Sequence, residues 1–487
     1  MVTDRLTREK TLDPESWGDF RALGHRMVED IADYLENIRD RPVWQAVPDE
    51  VAATMQQPVP VEGAGEEAAY DEALRNVLPY NMANVHPRFW GWVMGSGAPI
   101  GVLGDFLASA LNSQLGGADH MPSRVELQVV EWCKEMLGYA PDASGVLTSG
   151  GSMANLYALA VARHCKAGWD VREEGLAGHQ DLVTYASTEA HSSIQRAIEA
   201  LGMGNRNLRR VAVDSDLRLD ARRLREAIQQ DLSAGRKPIC VVANVGATNA
   251  GSIDPLPEIA EVCREFDLWF HVDGAFGAMA YLSQEFRPAL AGMELADSLA
   301  LDLHKWGYLP FAVGCVLVRD AESHRRTFTL RPDYLKQVER GASAGPIWFS
   351  DYGLELTREF KALKVWMALK AYGTRRLGEL IQQNIDQARY LGELVERSPQ
   401  LELLAPVPLN TVCFRYVREG LSEIELDELN EEILLRIQES GEFLPSATHV
   451  AGHYAIRVSI TNHRSRFEDF DALAEAVERT AEEVLGS

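Results

Sequence analysis

The spacing of hydrophobic positions changes along the chain, and each change marks an element. Trp17, Phe20, Met27, Ile31, Tyr34 and Ile38 fall mostly on one face at helical spacing. Asp13-Pro14 supplies an N-cap and a first-turn proline for that helix, and Pro42 closes it. A helix this long at the start of a chain needs a surface to cover, its own domain or a partner subunit, and the pattern does not choose. From Pro42 to about Gly65 the sequence is proline-rich and weakly periodic, which reads as a surface loop, and 70–78 reads as a short helix. Ser123-Arg124-Val125-Glu126 has the form of a capping box for a helix through Trp132 to Leu137.

Short apolar runs and helical stretches then alternate. Strands are expected at 182–185, 208–213, 239–245, 268–272 and 315–318. Helices are expected over 153–163, from His191 past Ala200, over 220–231, and from Asp254-Pro255 to Phe266. Repeated strand-then-helix units of this length predict an α/β fold with a mostly parallel sheet covered on both faces. Residues 326–350, which include GASAGP, carry no clear period and read as a mobile loop. Helices follow at 356–372 and 377–395, with Gly373 as the break. Segments 411–416, 422–440, 456–460 and 467–485 make a β-α-β-α block, with Ser422 and Glu425 as a second capping box. The expected organisation is an N-terminal helical segment (1–85), a large domain (86–374) and a small C-terminal α/β domain (375–487).

Composition narrows the function classes. The 487 residues carry a formal charge of -24, from 72 acidic against 48 basic side chains. That argues against a broad nucleic-acid surface but leaves room for a local pocket that takes one phosphate. The six cysteines are widely spread with no CxxC pair, which fits buried thiols in a reducing compartment and no metal site. The start, MVTDRLTREKT, is too polar for a secretory signal, and no window reaches 18 uninterrupted apolar residues. No membrane association is expected, and a cytoplasmic location is.

The chemistry gathers around 268–308. Asp273 ends a buried strand, where α/β sheets hold ligands, and is followed at once by Gly274. Further on, Lys305 stands between His304 and Trp306. An Asp and a Lys so placed suit pyridoxal 5'-phosphate: the carboxylate holds a pyridinium N–H and the amine forms a Schiff base. Burial beside apolar groups would favour the neutral amine of Lys305. Ser149-Gly150-Gly151-Ser152 opens a helix and offers backbone N–H groups to a phosphate. His191 and Thr248 follow two other strands, His191 able to lie flat against a ring. Singly, each has an ordinary structural reading: an α/β turn, a satisfied polar residue, a helix cap. Phe89, Trp90 and Trp92 fit a pocket mouth and core packing equally well.

The motifs TEAHSSIQRA, HVDGAFG, DSLALDLHKW and RPDYLKQ carry a family resemblance. From residue 20 to residue 457 the chain resembles the pyridoxal-phosphate-dependent group II amino acid decarboxylases, nearest their aromatic branch. The resemblance implies a fold-type I architecture with a seven-stranded, mostly parallel sheet, and a homodimer with active sites at the interface. The N-terminal helix would then pack across the partner. It assigns His191 to ring stacking, Asp273 to the pyridine nitrogen, Lys305 to the Schiff base, and Ser152 and Ser298 to the phosphate. Thr248 matches a residue beside the cofactor hydroxyl, and His304 one that touches the phosphate and substrate region. Tyr334 matches a loop tyrosine that protonates the quinonoid carbon formed from the external aldimine after carbon dioxide leaves; relatives with Phe there yield an aldehyde. Two positions depart from the pattern. Asp302 replaces an Asn near the phosphate, so its side chain should turn toward backbone or a cation. Thr357 replaces a Gly or Ser that bears on the substrate ring.

The implied activity is decarboxylation of an L-amino acid, foremost tyrosine, phenylalanine, tryptophan or dihydroxyphenylalanine. The rivals are an oxidative aldehyde synthase, a decarboxylase of histidine, glutamate or a similar residue, another reaction of the same cofactor such as transamination, and a non-catalytic cofactor-binding paralogue.

Overall fold

Two sheets organise the chain. The computed structural model describes residues 10–330, 340–345 and 347–486. The larger sheet comprises β1 (Ser144–Thr148), β2 (Leu182–Ser187), β3 (Leu208–Val211), β4 (Lys237–Asn244), β5 (Trp269–Asp273), β6 (Ser298–Asp302) and β7 (Gly314–Val318). Their spatial order is β1-β7-β6-β5-β4-β2-β3. β7 runs antiparallel to β1 and β6, and every other pairing is parallel. This is the mostly parallel sheet the alternation implied. Its strands other than the edge strand β3 are almost wholly buried, because helices cover both faces and leave no solvent side on which to alternate.

The smaller sheet, of β8 (Leu401–Leu403), β9 (Thr411–Tyr416), β10 (Ser446–Val450) and β11 (His453–Ser459), has the order β10-β11-β9-β8 and is antiparallel throughout. Helices Glu423–Glu439 and Phe467–Gly486 pack with it around Trp90, which stacks between Phe443 and Phe470. Ser422 and Glu425 make the reciprocal capping box expected of them. The long helix Ala362–Arg397 bends at Gly373, whose φ of 71° lies outside helical geometry.

Several local expectations give way to stronger partners. The first helix spans Trp17–Glu36 and is capped by Ser16, which accepts from the Asp19 N–H; Asp13 lies ahead of it. None of its residues is buried, and Trp17, Phe20, Met27 and Ile31 of its apolar face stay exposed. Asp254 does not cap the helix Leu256–Glu265 but accepts from the backbone of Leu219 and Asn244, each at 2.7 Å. Burial pushes its carboxyl up to about 6, with those donors opposing. Ser123 and Glu126 lie inside the helix Met121–Met136 instead of capping it. Glu126 is buried against Arg358, 2.5 Å away, which also donates to the Leu147 carbonyl at 2.7 Å. A buried guanidinium distant in sequence outcompetes the local cap, since an unpaired buried carboxylate would be far costlier. That pair braces β1 just before the glycine turn.

Candidate active site

The site grows from strand alternation in β5 and β6. Successive side chains point to opposite faces, so Trp269, His271 and Asp273 share one face, as do Ser298, Ala300 and Asp302. The strands pair with His271 opposite Ser298 and Asp273 opposite Ala300. Helix Gly151–Lys166 packs against both strands, and from it Asn155 reaches Asp273.

A continuous hydrogen-bonded chain results. Trp269 Nε1 donates to Ser298 Oγ at 2.8 Å, and Ser298 Oγ lies 2.9 Å from His271 Nδ1. His271 Nε2 is 2.9 Å from Asn155 Oδ1, and Asn155 Nδ2 donates to Asp273 Oδ2 at 2.8 Å. The amide oxygen of Asn155 can only accept, so the network assigns the imidazole proton to Nε2, and Nδ1 accepts from the Ser298 hydroxyl. Burial pushes His271 down to about 4 and keeps it neutral near pH 7. Asp273 Oδ1 accepts in addition from the Ala275 N–H at 3.1 Å. Asn155 also donates to Ser193 Oγ, which meets His191 Nδ1 at 2.9 Å.

Asn155, Ser193, His191 and Asp273 border a cavity of about 470 Å³, within the range of small-molecule sites. The structure brings Gly151, Ser152, His191, Thr248, Asp273, His304 and Lys305 around it. The N–H groups of Gly151 and Ser152, at the start of their helix, find no acceptor among the described residues. A helix N-terminus in that state suits a phosphate. His191 opens onto the cavity, and the surrounding protein pushes its imidazole below the usual range, with Asp273, Lys305 and Asp302 within electrostatic reach. His304 is buried, which likewise pushes it down; its Nδ1 lies within 3.0 Å of the Val313 backbone.

Lys305 borders the cavity with a carboxylate beside its amine. Its Nζ meets Asp302 Oδ2 at 3.0 Å, and that carboxylate has indeed turned toward a cation. Trp306, beside it in sequence, is buried in the core with its indole N–H on Asn384. Ser298 is not brought to the cavity. It opens β6 at the end opposite Asp302, roughly 13 Å away by strand rise, and its hydroxyl is engaged by Trp269 and His271, so the phosphate role expected of it is corrected to a link in the chain behind Asp273.

Of the three aromatics, Phe89 and Trp90 are core residues, and Trp92, 48% exposed, borders the cavity. Phe311, which the sequence reading overlooked, borders it as well. Thr357 is exposed and outside this lining. Tyr334 lies outside the described residues. Sequence reasoning also missed Asn155, His271 and Arg457. Arg457 reaches from β11 to the carbonyls of Thr248, Asn249 and Trp92, tying the cavity wall to the small sheet. Only the alternation within WFHVD carried a signal, placing His271 behind Asp273.

The donor set fits pyridoxal 5'-phosphate: an amine, a strand-end carboxylate, an imidazole facing the cavity and unpaired N–H groups for a phosphate. Comparison with known proteins agrees. The profile of the pyridoxal-dependent decarboxylase conserved domain matches residues 48–417. An aromatic-L-amino-acid decarboxylase of Bacillus atrophaeus is 34% identical over 472 residues, covering 96% of each chain. The crystal structure of Oryza sativa TDC with PLP and tryptamine has a TM-score of 0.90 at 27% identity, covering 97% of this chain and all of that one. Rhodiola rosea 4-hydroxyphenylacetaldehyde synthase gives 0.86 at 26%, with the same coverage. A domain match that spans most of the chain, full-length relatives and a cavity with the cofactor's donor set lead to one conclusion: the chain belongs to the pyridoxal-dependent decarboxylase family and takes pyridoxal 5'-phosphate as its cofactor.

Proposed function

We propose that this enzyme removes the carboxylate of an aromatic L-amino acid and releases the amine and carbon dioxide. The observation that carries the reading is the convergence of Lys305 and the braced carboxylate of Asp273 on one cavity with an anion-binding turn. Pyridoxal 5'-phosphate supplies an aldehyde conjugated to an electron-withdrawing pyridinium ring. Lys305 Nζ is the amine for that aldehyde, and Asp273 holds the proton on the ring nitrogen. Gly151 and Ser152 would hold the phosphate through their N–H groups and the Ser152 hydroxyl. His191 would stack on the ring, Thr248 would stand beside it, and His304 would border the phosphate and substrate. Tyr334 delivers the proton to the substrate carbon once carbon dioxide has left. Orienting the scissile bond is the main work left to the walls.

An aromatic side chain suits Trp92 and Phe311 at the rim, and the similar proteins named above act on or bind aromatic compounds. The same reading includes a homodimer with the active sites at its interface. Its support is the exposed apolar face of Trp17–Glu36 and that of Pro99–Leu111, where Leu103, Phe106, Leu107 and Leu111 are exposed. The division at residues 85 and 374 also belongs to it, supported by the separate small sheet and the bend at Gly373. A cytoplasmic location is supported by six free thiols. No helix among the described residues is long and apolar enough to cross a membrane.

Carbon dioxide release from tyrosine, phenylalanine, tryptophan, dihydroxyphenylalanine, histidine and glutamate tests the substrate class, and borohydride should trap the cofactor on Lys305. Release from none of the aromatic substrates would end the reading. Because one similar structure is an aldehyde synthase, the product must be identified too. Wild type should give amine, and Tyr334→Phe should divert most turnover to aldehyde and ammonia; aldehyde from the wild type would select the second activity.

A further inference from the structure

Asp302 is the carboxylate of the cavity that stands at the phosphate-binding turn, where its charge opposes the cofactor's phosphate. It ends β6 and is 1% exposed. Its Oδ2 meets Lys305 Nζ at 3.0 Å and lies 3.8 Å from His304 Nε2, while Oδ1 is buried with no hydrogen-bond partner among the described residues. The carboxylate is wedged against the phosphate-binding turn. A methyl group on Gly151 would sit 2.9 Å from Oδ2, and one on Gly314 of β7 would sit 2.5 Å from Oδ1. A methyl on Gly150 would come within 3.7 Å of Oδ1.

The neighbouring charges do not offset it. Among the described residues that line the cavity, Lys305 is the only lysine or arginine, and it pairs with Asp302 while Asp273 adds a second carboxylate to the same lining. His191 and His304 are both pushed toward the neutral form by burial. Lys364, on the helix Ala362–Arg397, acts on His304 but lies outside the lining. A phosphate at Gly151 and Ser152 would therefore approach a carboxylate whose one lysine or arginine partner among the described residues is the amine that the aldehyde must take.

We propose that Asp302 holds Lys305 in place in the cofactor-free protein and weakens cofactor retention through the phosphate, so that loading is reversible and follows cofactor supply. The inference rests on the cofactor and not on the substrate class, and it makes Asp302 a positioning residue for Lys305. It also separates two effects. Loss of the ion pair alone frees Lys305 for any aldehyde. Loss of repulsion favours only an aldehyde that carries a phosphate.

The test compares pyridoxal 5'-phosphate with pyridoxal, which lacks the phosphate. Apoprotein of the wild type, Asp302→Asn and Asp302→Ala is titrated with each, and affinity is read by equilibrium dialysis and by imine absorbance. The ratio of phosphorylated to unphosphorylated affinity should rise by about tenfold in both variants, the size expected when a like charge near an anion is removed. The alanine variant guards against a new amide hydrogen bond as the cause. An unchanged or lower ratio in the alanine variant overturns the proposal, whatever the asparagine variant does. Failure of the wild type to bind either aldehyde would remove the cofactor itself, and the proposal with it.

Discussion

Asp273 and Asp302 end neighbouring parallel strands on one face of the same sheet, and both border the same cavity. What holds them differs. Asp273 is braced by neutral donors, the Asn155 amide and the Ala275 N–H, behind which stand His271, Ser298 and Trp269. Asp302 has Lys305 Nζ as its near partner and His304 Nε2 farther off on the same oxygen, and its other oxygen has no hydrogen-bond partner among the described residues. Neutral donors fix a carboxylate without cancelling its charge, so Asp273 can serve a cationic ring nitrogen. A cation cancels the charge only while it stays, and Lys305 is the group the chemistry uses. One residue type on adjacent strand ends thus provides a permanent support and a temporary counter-ion.

The largest effect should come from Asp273→Asn. Turnover should fall by roughly 10²–10³-fold, the scale on which one preorganised electrostatic group acts, while cofactor affinity changes only a few-fold. Stopped-flow turnover and dialysis on the same preparation check both halves. Turnover close to wild type would break the contrast, since Asp273 would then be no more than another buried carboxylate.

Asn155→Ala attacks the brace behind it. The change strands a lone pair of Asp273 and the His271 N–H in the interior, at a cost of about 1–3 kcal/mol for a buried group left unsatisfied. Urea unfolding should register that loss, and turnover should fall about tenfold with the cofactor retained. A loss of stability with full turnover would reduce the chain from Trp269 to Asp273 to packing.

The alternation that defines the parallel sheet was legible because β2, β4 and β5 are almost wholly buried, mostly apolar runs between helical stretches. β1 and β6, no shorter than β5, were not, because each runs straight into a turn that carries the chemistry and is ordered by its pairing with β7. Asp273 and Lys305 stood out because a strand-end carboxylate and a lysine between aromatics carry local chemical meaning. Asn155 and His271 did not, since a neutral polar residue inside a helix or strand acquires a role only from a partner distant in sequence. Glu126 shows the converse: its spacing from Ser123 mimicked a cap, and Arg358 claimed it. Ser298 was misread for a similar reason, its motif neighbours lying at the far end of its own strand.

The smallest effect concerns the pH response of the Asp273 side. His271 is pushed from the ordinary value near 6.5 to about 4 by burial. Between those values the unfolded chain binds a proton at this residue that the folded chain does not, so stability rises with pH across the window and is lost as pH falls from about 6.5 to 4. The full loss from one such histidine is on the order of 3 kcal/mol. His86, His324 and His463 are also pushed to about 4 by burial and contribute with the same sign. His271→Gln, which keeps an amide donor for Asn155 and does not titrate, should therefore remove about a quarter of the acid-induced loss due to these four. Urea midpoints at pH 7, 6, 5 and about 4 would measure it. An unchanged slope would mean that His271 is charged in the folded state, and Asp273 would then be braced by a cation after all, as Asp302 is.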